Sequence, residues 1–192
     1  MQLSAAQPAA PARQITSLGF RKIDPAALST AGLSSADAEH VISIANQVYE
    51  QYQQQKDLVS SFELQIRRML TTELHPYAYD SYLYAIGQRN RLEVIGFSSG
   101  SVAQEYGMAA GDLIDTLNGQ RIYSQGDLQD FQLSLNPGPA STNQDPEDLA
   151  EVRILRRGQP LSFYLPANYL GLQLASRRIN PATIADTLYS GR

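Results

Sequence analysis

The stretch Gly107-Met108-Ala109-Ala110-Gly111-Asp112-Leu113-Ile114-Asp115-Thr116-Leu117-Asn118-Gly119-Gln120-Arg121-Ile122-Tyr123 decides the reading of this chain. Leu113 to Leu117 has the apolar, β-branched character of a strand. Asn118-Gly119 is the strongest short hairpin signal, because the favoured two-residue turn needs positive φ at both positions. Gln120 to Tyr123 is then the returning strand. Gly107 suits the left-handed position after a short helix, and Asp112 is a short polar residue placed to bond the backbone N–H groups of a turn.

Working outward, Leu92, Val94 and Ile95 form a short apolar strand, and Ser99-Gly100-Ser101 opens a helix over 102–106. Ser124 and Asp127 flank the N-cap of a helix carrying Leu128, Phe131 and Leu135. Pro137-Gly138-Pro139 breaks that helix, and a polar loop over 136–150 is longer than the fold requires. Two further strands, 152–155 and 161–165, are joined by the turn Arg156-Arg157-Gly158-Gln159.

Towards the N-terminus, residues 1–34 are rich in Ala, Pro, Ser and Gln and read as an extended or disordered lead. Met1 to Arg13 has neither a basic start nor an apolar centre, so it is not an intact signal peptide; removal of an upstream signal or anchor stays open. From Ser34-Ser35-Ala36-Asp37, a capping sequence, Val41, Ile44, Val48 and Tyr52 follow at helical spacing. A second helical pattern holds Leu58, Phe62, Ile66, Met69 and Leu70, so 35–76 is one long helix or a hairpin broken near Lys56-Asp57. Such faces need a partner, which is the following domain, each other, or a second chain in a homodimer through 36–74. Tyr77, Tyr79, Tyr82 and Tyr84 read as aromatic packing where the helices meet the next domain.

The bulk numbers narrow the classes. The chain has 192 residues, 43% hydrophobic and 18% charged, with formal net charge −4 and a pI near 5.1. That balance suits a globular protein and not a nucleic-acid binder. The runs Arg67-Arg68, Arg156-Arg157 and Arg177-Arg178 read as solvated surface pairs. With no cysteine, disulfides, thiolate metal ligands and thiol catalysis are excluded. No apolar run approaches the roughly 18 residues of a membrane span.

The order strand, short helix, Gly, Gly-Asp, strand, Asn-Gly, strand, helix, Pro-Gly, strand, Arg-x-Gly turn, strand resembles the bacterial PDZ domain. Gly100-Ser101-Val102-Ala103, the stretch 107–114, Leu117-Asn118-Gly119, Asp127-Leu128, Pro137-Gly138 and Arg156-Arg157-Gly158 carry the resemblance. Leu165-Pro166-Ala167-Asn168-Tyr169-Leu170-Gly171-Leu172 also looks like the ending of PDZ-containing proteins of Gram-negative bacteria that have a helical segment before the domain. The resemblance implies an α+β fold: a PDZ-like, partly open antiparallel β-barrel with two helices over 77–174, preceded by the helical segment and followed by a tail at 175–192.

It also implies a peptide added as a strand in a groove, with its carboxylate held by backbone amides. The carboxylate loop is expected at Ser81 to Ile86, without the usual glycine, leading into a short strand over 83–88. Groove lining is expected from Tyr82, Leu83, Tyr84, Ala85 and Ile86 on one side and Phe131 and Gln132 on the other.

Catalytic readings are weaker. Gly96-Phe97-Ser98-Ser99-Gly100 is a literal G-x-S-x-G, but that hydrolase order needs a histidine after the serine, and His40 and His75 both precede it. Asp115-Thr116-Leu117 lacks the glycine of an aspartic-protease motif, no phosphate loop occurs, and two histidines 35 positions apart have no ligand spacing. The expectation is a non-catalytic scaffold or adaptor with a protein or peptide partner, no cofactor, no metal and no nucleic acid. The resemblance places it in the periplasm, with the cytoplasm left open. Two alternatives stand beside it: a regulatory or substrate-presenting subunit of an envelope protease or secretion system, and a structural homodimer with a vestigial groove.

Overall fold

The structure, a computed structural model, describes residues 23–54, 62–75, 77–135, 149–166 and 170–184. It is an α+β chain built on two apolar cores. Four helices come first: α1 (Pro25–Thr30), α2 (Ser35–Gln54), α3 (Phe62–Glu73) and α4 (Ala78–Ala85). Then follow β1 (Arg91–Phe97), α5 (Val102–Glu105), β2 (Leu113–Leu117), β3 (Gln120–Arg121), α6 (Gln125–Leu135), β4 (Leu149–Arg156), β5 (Gln159–Pro166) and β6 (Leu172–Arg177). The sheet is antiparallel in the order β5-β4-β2-β1-β6, with β3 paired to β2 alone. β5 and β6 are therefore its edges.

The central hairpin forms as its turn chemistry predicts. Asn118 and Gly119 have φ of 46° and 76°, the pair of positive values that matches the twist of the flanking strands. Asp112 is buried, and its Oδ2 accepts from the Ala109 N–H at 2.8 Å. Arg156 grips the same carboxylate, Nε to Oδ1 and Nη2 to Oδ2, both at 2.8 Å. Arg156 is thus half of a bidentate pair while its side chain stays 35% exposed at the surface. Of the other basic residues, Arg67 is largely shielded and pairs with Asp127, whereas Arg68, Arg157, Arg177 and Arg178 lie exposed as expected, Arg177 pairing with Glu93 and the Arg178 guanidinium lying 4.2 Å from the Tyr84 ring centroid.

The helical half bears on the sequence reading at three points, correcting two of them and taking up the hairpin alternative at the other. Within the expected lead, residues 23–34 are structured; residues 1–22 lie outside the described residues. Asp24 caps α1 by accepting from the Ala26 N–H at 2.9 Å, Pro25 takes the first helical position, and Gly32 (φ 93°) ends the segment. Leu28, Ala31 and Leu33 are buried. Second, α2 and α3 are separate helices that bury Val41, Ile44 and Val48 together with Phe62, Ile66 and Leu70 inside one chain. The expected break near Lys56-Asp57, with Leu58, lies outside the described residues.

Third, the strand expected over 83–88 is the helix α4 and its C-terminal turn. Residues 77–90 therefore belong with the helical core, and the β-domain begins at Arg91. Tyr79, Tyr82 and Leu83, spaced three and four apart, point one helical face into that core. At the other end β6 runs through Arg177, and Ile184 is buried, so the expected tail is structured as far as 184. Of the long loop, 136–148 lies outside the described residues, and β4 starts at Leu149.

A buried charge network joins the two cores. Asp80 on α4 and Arg91 at the start of β1 are both wholly shielded, with Nη1 and Oδ1 2.7 Å apart. The contact is ionic, without the alignment of a hydrogen bond. Arg121 of β3 reaches both Asp80 and Asp115 and stacks 4.2 Å from the Tyr77 ring centroid. Asp115 sits where the β2–β4 register shifts, which turns its carboxylate inward. Burial alone pushes the Arg121 guanidinium towards neutrality, but the two carboxylates outweigh it and raise its pKa.

Removing one partner of a buried pair strands the other charge. Asp80→Ala should therefore lower unfolding free energy by about 3–5 kcal/mol in urea titration. Glu73→Ala, which removes the exposed His40–Glu73 pair, should change it by about 1 kcal/mol or less.

Candidate functional site

The groove lies between α6 and the edge strand β6. Ser98, Gln125, Leu128, Gln129, Gln132, Leu170, Gly171, Leu172 and Leu174 line a space of about 370 Å³. α6 is held on the sheet by Phe131, which is buried in the core with Leu92, Val94 and Ile154. Its first turn is capped reciprocally: Ser124 Oγ accepts from the Asp127 N–H at 3.2 Å, and Asp127 Oδ2 accepts from the Ser124 N–H at 2.9 Å.

The head of the groove is set by the backbone at Leu170-Gly171-Leu172. Leu170 O accepts from Ser101 Oγ at 2.8 Å and from the Ala103 N–H at 3.3 Å. Gly171 O accepts from the Ser98 N–H at 2.9 Å. A planar trans peptide directs its N–H opposite to its C=O. With both carbonyls turned inward, the N–H groups of Gly171 and Leu172 are turned away from those contacts, and both residues line the groove. Two successive amides facing one space make an anion-binding concavity.

Gly171 is required there on two counts. Its φ is +65°, and a Cβ would lie 2.8 Å from Ser101 Cβ and 2.9 Å from Ser101 Cα. Ser101 is also the N-cap of α5, accepting from the Gln104 N–H at 3.3 Å, so one hydroxyl joins the start of that helix to the groove's head.

Below the head, β6 pairs on one side only among the described residues, with β1. Leu174 O accepts from Gln125 Nε2 of α6 at 3.3 Å, which places that carbonyl on the free edge. Strand periodicity puts the backbone of Leu172 on the same edge. An extended peptide can therefore add to β6. None of the described lining side chains is charged; the α6 wall offers Leu128 and three glutamines.

The site residues expected from sequence fall in different places. Gln132 lines this groove. Phe131 lies beneath it in the core of the β-domain. Tyr82 and Leu83 are buried in the helical core, with Ala85 and Ile86 packed against it, and the Tyr84 carbonyl accepts from Arg178 Nη2 at 2.8 Å. The sequence reading missed Leu170, Gly171, Leu172 and Leu174, although Leu-Gly-Leu-Gln-Leu carries the signal: a glycine followed by strand alternation.

The catalytic motifs do not assemble. Ser98 of the G-x-S-x-G stretch lines the groove, while His40 pairs with Glu73 at 3.0 Å and His75 Nδ1 accepts from the Tyr77 N–H at 3.2 Å. Asp115 is committed to Arg121. Among the described residues no cluster of three or more metal-ligating side chains occurs, and no helix is long and apolar enough to cross a membrane. No family model matches the chain, and no curated protein does.

Two outcomes are expected here. Gly171→Ala should cost about 1–3 kcal/mol through left-handed strain and crowding on Ser101, read by thermal unfolding, with amide NMR shifts concentrated at 98–103 and 170–174. Burial lowers the His75 pKa from 6.5, against a smaller upward pull from Asp37 and Asp80. The folded state then binds that proton more weakly than the unfolded chain, so stability is full above pH 6.5 and falls as pH drops from there towards the folded value. Thermal melts of wild type and His75→Gln should diverge over that interval, the variant losing less.

Proposed function

We propose that this chain is a PDZ-like peptide-binding module that captures protein C-termini by strand addition between β6 and α6. The observation that carries the reading is the head of the groove: two outward backbone amides at Gly171 and Leu172, leading directly into an open strand edge faced by a helix. A carboxylate seated on those amides gains charge-assisted hydrogen bonds, and the residues before it extend the sheet with side chains alternating towards Leu128, Leu170, Leu172 and Leu174. The uncharged lining favours ligands whose inward side chains are apolar or neutral polar, since a charge there would lose water without a partner.

The element order supports the same reading. From β1 to β5 the elements follow the order on which the resemblance rests, but the strand we assign to the peptide is β6, last in the domain, in place of the strand expected over 83–88. The role that follows is non-catalytic, a scaffold or adaptor, and the resemblance to the bacterial domain favours the periplasmic side of the envelope. No described residue of the N-terminal helices lines the groove. Among the described residues of 36–74, Val41, Ile44, Val48, Phe62, Ile66 and Leu70 pack within the chain.

The test is fluorescence anisotropy of the full chain with a C-terminal peptide library. Peptides with a free carboxylate and neutral final residues should bind, and C-terminal amidation should weaken them about ten- to hundredfold, the worth of hydrogen bonds to a charged group. Leu128→Asp, which puts a like charge in the α6 wall, should abolish binding. Equal binding of acid and amide forms, or none by any member, would falsify the proposal.

A further inference from the structure

Both walls of the groove are tied to the helical half of the chain. Arg67 of α3 reaches across to α6, where its Nη1 pairs with Asp127 Oδ1. Its Nη2 donates to Arg121 O at 2.9 Å, and its guanidinium carbon lies 4.7 Å from the Tyr123 ring centroid. The other oxygen of Asp127 accepts from the Tyr123 and Ser124 N–H groups at 3.0 and 2.9 Å. One carboxylate therefore caps α6 and binds α3 at once. On the opposite wall, the chain leaving β6 is anchored by Asn90, which donates to Ile179 O and accepts from the Ile179 N–H, each at 2.9 Å. Asn180 continues the tie by donating to Thr30 O at 3.1 Å. Among the described residues, the hydrogen bond that spans the groove from α6 to β6 is the long one from Gln125 to Leu174, at 3.3 Å.

We propose that Arg67 is a positioning residue for the groove: from outside it, Arg67 sets the distance of the α6 wall from β6 and so links ligand affinity to the docking of α3. The inference rests on the groove being the ligand site. The physical ground is leverage. α6 is fixed near its middle by buried Phe131 and at its N-terminus by Asp127. Without the guanidinium, the N-terminal turn of α6 keeps its cap, the packing of partly buried Leu128 and the long Gln125–Leu174 bond, weaker restraints against a pivot about Phe131. Gln125 and Leu128, which face β6, lie at the end released. The Arg67–Asp127 pair is mostly shielded, with side chains 23% and 13% exposed, so water replaces it poorly.

The experiment uses the full chain, with wild type, Arg67→Gln, Arg67→Lys and Ile66→Val compared. Two readouts are taken: affinity for a fluorescein-labelled heptapeptide with a free C-terminal carboxylate and neutral final residues, and amide hydrogen exchange over 125–132. Arg67→Gln should weaken the peptide about five- to tenfold, the usual size of coupling through a packed contact, and speed exchange over 125–132. Arg67→Lys, which keeps the charge but not the fork, should fall between. Ile66→Val trims the core of the same helix and should lower the melting temperature while leaving affinity within about twofold. Arg67→Gln with affinity within twofold of wild type, or Ile66→Val with an equal loss, overturns the proposal. If wild type binds no such peptide, the groove reading fails separately. Exchange then decides the coupling: acceleration over 125–132 in Arg67→Gln beyond that in Ile66→Val upholds it, and equal rates overturn it.

Discussion

Asp80 carries a carboxylate into the interior with its side chain wholly shielded from solvent, and two guanidinium groups from another part of the chain meet it there. Taking ions from water costs several kcal/mol each, and the cost is recovered only when the opposite charges are held in contact. The helical half supplies Asp80 and the sheet supplies Arg91 and Arg121, so neither half satisfies the charges alone. The aromatic rings around the network follow the same geometry. Tyr79 of α4 meets Tyr123 edge-on at 5.0 Å, and burial pushes the Tyr123 phenol up to about 12, reinforced by Asp80. Tyr123 belongs by sequence to the central hairpin and by packing to the helical core. The four helices are thus not an appendage to the β-domain: their docking and the placement of the start of β1 and of β3 are one event.

That joint reaches the groove. Arg121 of the buried network also gives its carbonyl to Arg67, and Arg67 holds Asp127 at the start of α6. Asn90, one residue before β1, fastens the chain beyond β6. The groove's head is held from the opposite direction by Ser101, whose hydroxyl caps α5 and grips Leu170. The groove is lined by residues between 98 and 174, while residues 67 and 90 bond to α6 and to the chain beyond β6.

The sequence was most legible where backbone chemistry is local. Asn118-Gly119 demands its turn, Ser124 with Asp127 makes its own cap, and Val41, Ile44 and Val48 mark a face at helical spacing. α1 was legible too and went unread: Asp24, Pro25 and Gly32 are start and stop signals in the expected order, obscured by the Ala- and Pro-rich composition around them. α4 was harder. Tyrosine favours strands, and Tyr77, Tyr79, Tyr82 and Tyr84 mimic alternation. Burial against α1 and α3, with a carboxylate at Asp80 to meet two arginines, outweighed that preference, because β-propensity is a weak and context-dependent term.

The misplaced groove has the same origin. The sequence by itself determined the elements from β1 to β5, their turns, the absence of thiol chemistry and the weakness of every catalytic motif, because each depends on neighbouring residues or composition. Which strand stands at the sheet's open edge was decided only in three dimensions. Leu172 to Leu174 lie on an open edge because β6, among the described residues, pairs with β1 alone, some eighty residues earlier. The amides of Gly171 and Leu172 face outward because residues of α5 and Ser98 hold the carbonyls inward. Edge position and amide direction arise from contacts between segments distant in the chain, and no local pattern contains them.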